Sequence, residues 1–197
     1  KFTRTLNYRS PIKTETWEYF RFWELSFSKE LFHELDKNAS WIFSLSSDSD
    51  KKIFIANGML EEAISSSQIE WASTTTKNAR KMLQEWRKPR TKDEQMIFNN
   101  YEAMLYIRNE LINKKLELWD LLYLQSMLTK DTLDNKDEVG RLRTDQDNIV
   151  VEYERKITHI PMQEQQMHQE LQRLIDFANN EWDFWTFVHP IIRAIII

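Results

Sequence analysis

TKDEQMIFNNYEAMLYIRNELI, from Thr91 to Ile112, is the stretch of sequence that most clearly predicts a fold. Most of its apolar residues recur three, four or seven positions apart, which places them on one side of an α-helix. These residues are Ile97, Tyr101, Met104, Leu105, Leu111 and Ile112. Thr91 stands just before the helical pattern and is predicted to cap it, because its side-chain oxygen can accept a hydrogen bond from a first-turn N–H.

The flanking sequence also favours helices, because residues that break them are scarce. The chain has only two glycines, Gly58 and Gly140, and four prolines in 197 residues. The spacing of apolar residues predicts helical structure in five further stretches: Thr14 to Phe43, Met59 to Trp86, Leu118 to Leu128, Met167 to Ala178 and Asp183 to Ile197. A mainly α fold is therefore expected.

Polar or β-favouring residues mark the predicted breaks between these helices. Ser44 to Lys52 has the composition of a loop, and Asn57-Gly58 is a further break. Pro89 separates two helices, since proline lacks a backbone donor. Leu142 to Ile160 is rich in β-branched residues and is predicted to form a β-hairpin that ends before Pro161.

Composition excludes several classes of function. The formal net charge is −4, which gives no general reason to expect binding to nucleic acid or to an anionic membrane. There is no cysteine, so disulfides, thiolate metal sites and a cysteine nucleophile are excluded within this chain. No apolar run reaches the roughly 20 residues that a membrane helix needs, and no signal-like start is present. A cytoplasmic location is the default expectation.

Ser66 and Glu70 form the first candidate functional pair. Their spacing of four places a hydroxyl and a carboxylate on the same side of a helix, one turn apart. Such pairs occur often by chance, and taken alone this one indicates only a solvated polar face.

The sequence around this pair, together with a second segment later in the chain, changes that interpretation. Ala63 to Glu70 resembles the inhibitory helix of Fic proteins, whose pattern is Ser or Thr, three residues, Glu, then Gly or Asn; here Trp71 occupies the last position. Gly140 to Thr144 resembles the family's Gly-Arg-aromatic-Arg-Thr start of a hairpin flap, with Leu142 in place of the aromatic residue, and Pro161 follows the hairpin.

The third resemblance lies at the end of the chain. Phe187 to Ala194 is similar to the helix upstream of the family signature HPFxDGNGR, but His189-Pro190 is not that signature, because no acid or Gly-Asn-Gly follows it. His189 is expected to cap or begin a helix. The resemblance implies that the catalytic loop follows Ile197, so this chain is expected to hold no catalytic residue and no metal ligand.

Membership of the Fic family would imply a helical bundle with a β-hairpin flap and an N-terminal helical subdomain. The predicted parts are an N-terminal helical segment (residues 1–52), an inhibitory-helix region (53–90) and the first part of a Fic-like core (91–197). The implied activity is protein adenylyltransfer, in which AMP moves from ATP to a Ser, Thr or Tyr hydroxyl of a target protein. ATP and Mg²⁺ are expected for the complete protein, and neither is expected to bind this chain alone.

The resemblance also assigns residue roles. Glu70 would pair with the second arginine of the missing signature, so that the γ-phosphate is misplaced. Ser66 would help to hold Glu70 in position. The flap would hold an extended target segment by main-chain pairing. Its predicted residues are Asp147, Asn148, Ile149, Val150, Val151, Glu152 and Tyr153.

Two other interpretations fit the sequence. A noncatalytic helical interaction module fits the composition equally well and requires no catalytic loop. Glu30 and His33 have the Glu-x-x-His spacing of di-iron bundles. Only one such half-site is present, so a chance match is the better interpretation.

Overall fold

The computed structural model of the chain describes residues 6–13, 18–24, 26–45, 47–181 and 188–197. In this part of the chain the structure is mainly helical and also contains two antiparallel two-stranded sheets. The predicted mainly α fold with a β-hairpin is therefore confirmed.

The helices are α1 (Ser26–Leu45), α2 (Asp48–Ile69), α3 (Thr76–Gln84), α4 (Lys92–Tyr106), α5 (Leu118–Thr129), α6 (Glu164–Ala178) and α7 (Pro190–Ile196). A π-helical turn, Ile107–Leu111, extends α4, and short 3₁₀ turns occupy Lys136–Glu138 and Asp145–Asp147. The strands are β1 (Leu6–Lys13), β2 (Tyr19–Glu24), β3 (Val151–Tyr153) and β4 (Lys156–His159).

The chain divides into two compact units. One is the continuous segment Phe43–Leu142, and the other combines Lys1–Ile42 with Arg143–Ile197. The predicted boundaries after residues 52 and 90 do not coincide with those of the units, and they stay a prediction.

Three helices supply the hydrophobic core of the Phe43–Leu142 unit. It contains Leu60 and Ile64 from α2, Ala79, Met82 and Leu83 from α3, Ile97 from α4, and Ala72 from the connection after α2. Phe98 and Tyr101 of α4 pack against this core. Ile112, which was predicted to lie on the buried side of the helix, is exposed, since it lies beyond the π-helical turn.

Side-chain caps start the helices of this unit. Thr91 caps α4 as predicted, its hydroxyl accepting from the Glu94 N–H at 3.1 Å. The predicted loop Ser44 to Lys52 is wrong over most of its length, because Ser47 accepts from the Asp50 N–H and starts α2 at once. The predicted break at Asn57-Gly58 is also wrong, since α2 continues through it.

The two glycines are expected to respond in opposite ways to alanine. A Cβ added at Gly58, inside α2, would meet no atom within 4 Å. Gly58→Ala should therefore raise the free energy of unfolding by about 0.5–1 kcal/mol, because alanine is the better helix former. Gly140→Ala is the matched comparison: Gly140 has a φ of +70°, so this change should lower stability by about 1 kcal/mol. Urea denaturation of both variants checks the pair, and a loss of stability in Gly58→Ala would contradict the argument.

Three helices end in the same backbone arrangement, the Schellman motif. In α2 the Ala72 N–H donates to the Ser67 carbonyl at 2.9 Å, in α3 Arg87 donates to Met82 at 3.0 Å, and in α6 Glu181 donates to Asp176 at 2.7 Å. The motif requires a positive φ at the residue directly before the donor. That residue is Trp71 in α2, Trp86 in α3 and Asn180 in α6. Glycine or asparagine usually takes this position, so two of the three ends carry an unusual residue.

The other unit begins with an antiparallel hairpin. β1 pairs with β2 from Leu6 opposite Glu24 to Lys13 opposite Tyr19. The helix predicted from Thr14 to Phe43 is therefore wrong over Tyr19–Glu24, where the aromatic residues favour a strand, and Trp17 lies outside the described residues. The hairpin packs on α6, where buried Glu170 accepts from the Lys13 N–H at 3.4 Å.

Candidate functional site

The last turn of α2 is anchored to α4 by one amide side chain. Asn100 Nδ2 donates to Ser66 Oγ at 2.9 Å, and it lies 3.3 Å from Ser67 Oγ. Ser66 Oγ in turn donates to the Glu62 carbonyl at 2.7 Å. The hydroxyl of Ser66 thus holds the helix itself rather than the carboxylate of Glu70. Asn100 was missed by the sequence analysis.

Glu70 is the C-terminal cap of α2. Its backbone N–H donates to the Ser66 carbonyl at 3.1 Å, so the main chain is fixed at this point. The side chain is exposed, and within the described part of the chain its carboxylate has no hydrogen-bond or ion-pair partner. A carboxylate at a helix C-terminus faces the negative end of the helix dipole, which is unfavourable unless a cation approaches.

The segment after Trp71 is held by side chains of two helices. Gln68 Nε2 donates to the Thr74 carbonyl at 2.7 Å. Ser73 donates to Asp93 Oδ2 through its N–H at 3.2 Å and also through its hydroxyl. These hydrogen bonds from Ser73 hold the pKa of Asp93 below its usual range. The path of the chain from Glu70 to α3 is therefore fixed by side chains of α2 and α4.

The base of the predicted flap is an ordered turn. The Thr144 N–H donates to Asp147 Oδ2 at 2.7 Å, and the Glu164 N–H donates to Asp145 Oδ1 at 2.8 Å. Asn148 follows with a φ of 47°. The prediction that the gripping strand covers Asp147 to Tyr153 is too long, because the capped 3₁₀ turn that ends at Asp147 and the left-handed Asn148 delay the strand until Val151.

The flap itself is a short hairpin with exposed apolar side chains. Val151 pairs with His159 and Tyr153 with Lys156, and the two-residue turn has positive φ at Glu154 and Arg155. Ile149, Val151, Glu152 and Tyr153 are exposed, and Val150 is half-buried. The described sheet contains only β3 and β4, so no described strand pairs with the outer edge of β3. Such an edge has the main-chain donors and acceptors that an added strand needs.

His189 has a structural role, as predicted. It is the N-cap of α7, where its Nδ1 accepts from the Ile191 N–H at 3.2 Å. Its Nε2 lies 3.2 Å from Asp36 Oδ2, and its ring stacks on Phe32 with centroids 4.5 Å apart. Accepting at Nδ1 requires that the neutral ring carry its proton on Nε2, which directs that proton at Asp36.

Neither a metal cluster nor a membrane helix is found among the described residues. No group of three or more metal-ligating side chains occurs in residues 6–13, 18–24, 26–45, 47–181 and 188–197, and His33 and Glu30 are exposed on α1. None of the helices described is long and apolar enough to cross a bilayer.

The structure therefore provides two separate candidate features, one in each unit: an exposed carboxylate at the end of an anchored helix, and a hairpin with an open edge. No protein-family model matches the chain, and a search of curated proteins finds no match to it either.

Proposed function

We propose that this chain is part of a Fic-type protein adenylyltransferase, which transfers AMP from ATP to a Ser, Thr or Tyr hydroxyl of a target protein and is autoinhibited through Glu70. One observation carries the proposal. The carboxylate of Glu70 is exposed at the C-terminus of α2 and has no partner in the described part of the chain, while the helix that bears it is fixed to α4 through Asn100.

Helix position supports a switch role for Glu70 over a structural one. A structural residue at a helix C-terminus is favoured when it is basic, because a cation stabilises the negative end of the dipole. Glu70 has the opposite charge and no compensating lysine or arginine among the described residues. An arginine brought to this end of the helix would be attracted both by the carboxylate and by the negative end of the helix dipole. Its charge-assisted hydrogen bonds to the carboxylate would be strong.

The catalytic chemistry of the proposed enzyme belongs to residues that this chain does not contain. Transfer forms a bond from the target oxygen to the α-phosphorus and breaks the bond to pyrophosphate, which leaves, while the hydroxyl proton passes to the histidine of the catalytic loop. Mg²⁺, when bound in the complete protein, would offset the phosphate charge. The role of this chain is to withhold the arginine that positions the γ-phosphate and, through its flap, to position the target.

The flap supports the second half of the proposal. The outer edge of β3 is unpaired among the described strands, and Val151 and Tyr153 lie exposed on that strand. An extended segment could pair there while its side chains contact the exposed apolar residues, which is β-augmentation. The turn that precedes the hairpin is closed by hydrogen bonds to Asp145 and Asp147.

Glu70→Ala in the complete protein is expected to raise the rate of auto-modification by labelled ATP at least about tenfold, because loss of a charge-assisted arginine pair costs about 1.5–3 kcal/mol. Glu62→Ala, the same change two turns earlier on the exposed side of α2, is the matched control and should leave the rate unchanged. This chain alone should show no modification. Equal rates for the two variants would remove the switch role from Glu70.

A noncatalytic helical interaction module is the second candidate, and the exposed apolar residues of the flap favour it. In that case the complete protein would transfer no label from ATP. Tyr153→Ser and Ile157→Ser would then weaken binding of a partner protein.

A further inference from the structure

Trp71 combines a strained backbone with a side chain that gains nothing from its surroundings. Its φ is 73°, and 91% of its surface is exposed. Trp86 occupies the same position at the end of α3, but its ring packs against Phe98 and Tyr101 with centroids 5.9 Å away in each case. The strain at Trp86 is therefore offset by packing, and no such contact exists for Trp71 among the described residues.

The conformation of Trp71 is imposed by its neighbours. Gln68 binds the Thr74 carbonyl, Ser73 binds Asp93, and the Ala72 N–H closes the Schellman motif on Ser67. Left-handed backbone is unfavourable for residues with a Cβ, and it persists only where the surrounding structure enforces it. One of these hydrogen bonds, from the Ala72 N–H to the Ser67 carbonyl, also closes the C-terminus of α2 beside Glu70.

We propose that the left-handed conformation of Trp71 keeps the last turn of α2 close to opening, and thereby sets how firmly Glu70 is held in its inhibitory position. When this turn opens, the Ala72 and Trp71 hydrogen bonds to Ser67 and Gln68 are lost, and Glu70 is no longer fixed relative to α4. The inference deepens the proposed function and rests on it for its consequence in activity. The strain itself does not depend on that function.

Substitutions at Trp71 separate the backbone from the side chain. Gly and Asn adopt positive φ readily, whereas Ala has the same Cβ penalty as Trp and lacks the indole. Trp71→Gly and Trp71→Asn should therefore slow hydrogen exchange of the Glu70 and Ala72 amides about threefold in the complete protein. Trp71→Ala, the matched control, should leave their exchange rates as in the wild type.

Auto-modification of the complete protein tests the regulatory consequence. Trp71→Gly and Trp71→Asn should lower its rate by about the same threefold, because the population with Glu70 released falls by that factor. Trp71→Ala should not change it. In a Glu70→Ala background Trp71→Gly should have no effect, because there is then no carboxylate to hold.

Each outcome decides one part of the proposal. Unchanged hydrogen exchange of the Glu70 and Ala72 amides in Trp71→Gly and Trp71→Asn would overturn the claim that Trp71 strains this turn, whatever the activity. Slower exchange with an unchanged rate of modification would overturn the regulation alone. Absence of any modification by the complete protein would overturn the proposed function, and with it the regulation, but not the strain. An equal effect of Trp71→Ala would assign the result to the indole and overturn the backbone argument.

Discussion

Glu94→Gln is expected to lower the free energy of unfolding by about 2 kcal/mol. The carboxylate accepts two hydrogen bonds from Arg87, at 2.7 and 3.1 Å, and one from the Arg90 N–H at 2.7 Å. It thereby joins the end of α3, the connection through Pro89 and the first turn of α4. Glutamine offers one acceptor and turns an amide N–H toward the guanidinium. Only 8% of Glu94 is exposed, so water cannot fully replace the lost bonds.

The contribution of Glu94 should also depend on pH. The hydrogen bonds from Arg87 lower the pKa of Glu94, and burial opposes this with a smaller effect. Because the folded-state pKa lies below the unfolded one, the stabilisation is present above the ordinary glutamate value of about 4.3 and is lost as the pH falls through the folded-state pKa. The difference in stability between the wild type and Glu94→Gln should therefore be constant from about pH 6 to 8 and shrink in acid.

Urea denaturation followed by circular dichroism, repeated from about pH 8 down to below the ordinary glutamate pKa of about 4.3, measures both effects. Glu85→Gln is the matched control: Glu85 pairs with Lys81 at 3.8 Å, and both side chains are more than half exposed. Surface pairs of this kind contribute little, so no clear change is expected. A loss of stability in Glu94→Gln no larger than that in Glu85→Gln would contradict the role assigned to the buried carboxylate.

Asn99→Leu should cost about 3 kcal/mol. Asn99 is fully buried, and its Nδ2 donates to the Leu128 carbonyl at 3.0 Å and to the Lys130 carbonyl at 2.7 Å. These carbonyls belong to the C-terminal end of α5, where the helix itself supplies no donor. Leucine fills a similar volume but leaves both carbonyls, and the Gln95 amide bonded to Asn99 Oδ1, without their partner.

Thermal denaturation of Asn99→Leu and of Asn113→Leu, an exposed position beyond the π-helical turn, provides the comparison. The second change should stay within about 0.5 kcal/mol of the wild type. Hydrogen exchange should in addition show that Asn99→Leu loosens the last turn of α5 more than the rest of that helix. Uniform loosening would indicate a packing defect rather than the loss of the cap.

The elements that sequence predicted well are those whose cause is local. The helix that begins after Thr91 follows from a capping hydroxyl and an apolar side, both read within one segment, and α5 was predicted from its apolar spacing alone. The β1–β2 hairpin was missed because Phe20 also fits a helical spacing, and the choice between helix and strand depends on a partner strand. The end of α2 was hidden because Trp71 stands where glycine would signal a stop.

The candidate site shows the same limit. Spacing placed Ser66 and Glu70 on one side of a helix, and the structure has them on α2 and at its cap. What fixes that helix is Asn100, which is 34 positions from Ser66, and no local pattern joins them. The flap hairpin was predicted from its β-branched residues, whereas its late start at Val151 depends on the turn at Asp147 and Asn148.

The division of the chain has a consequence for its synthesis. Lys1–Ile42 belongs to the same compact unit as Arg143–Ile197, and β1 packs on α6. At translation rates of about 5–20 residues per second, the N-terminal hairpin leaves the ribosome about 7 to 28 seconds before α6, the helix that packs on it. Phe43–Leu142 contains all of its own core and can fold during that interval. Nascent chains released near Leu142 would then carry one folded unit and an N-terminal hairpin without its packing partner α6.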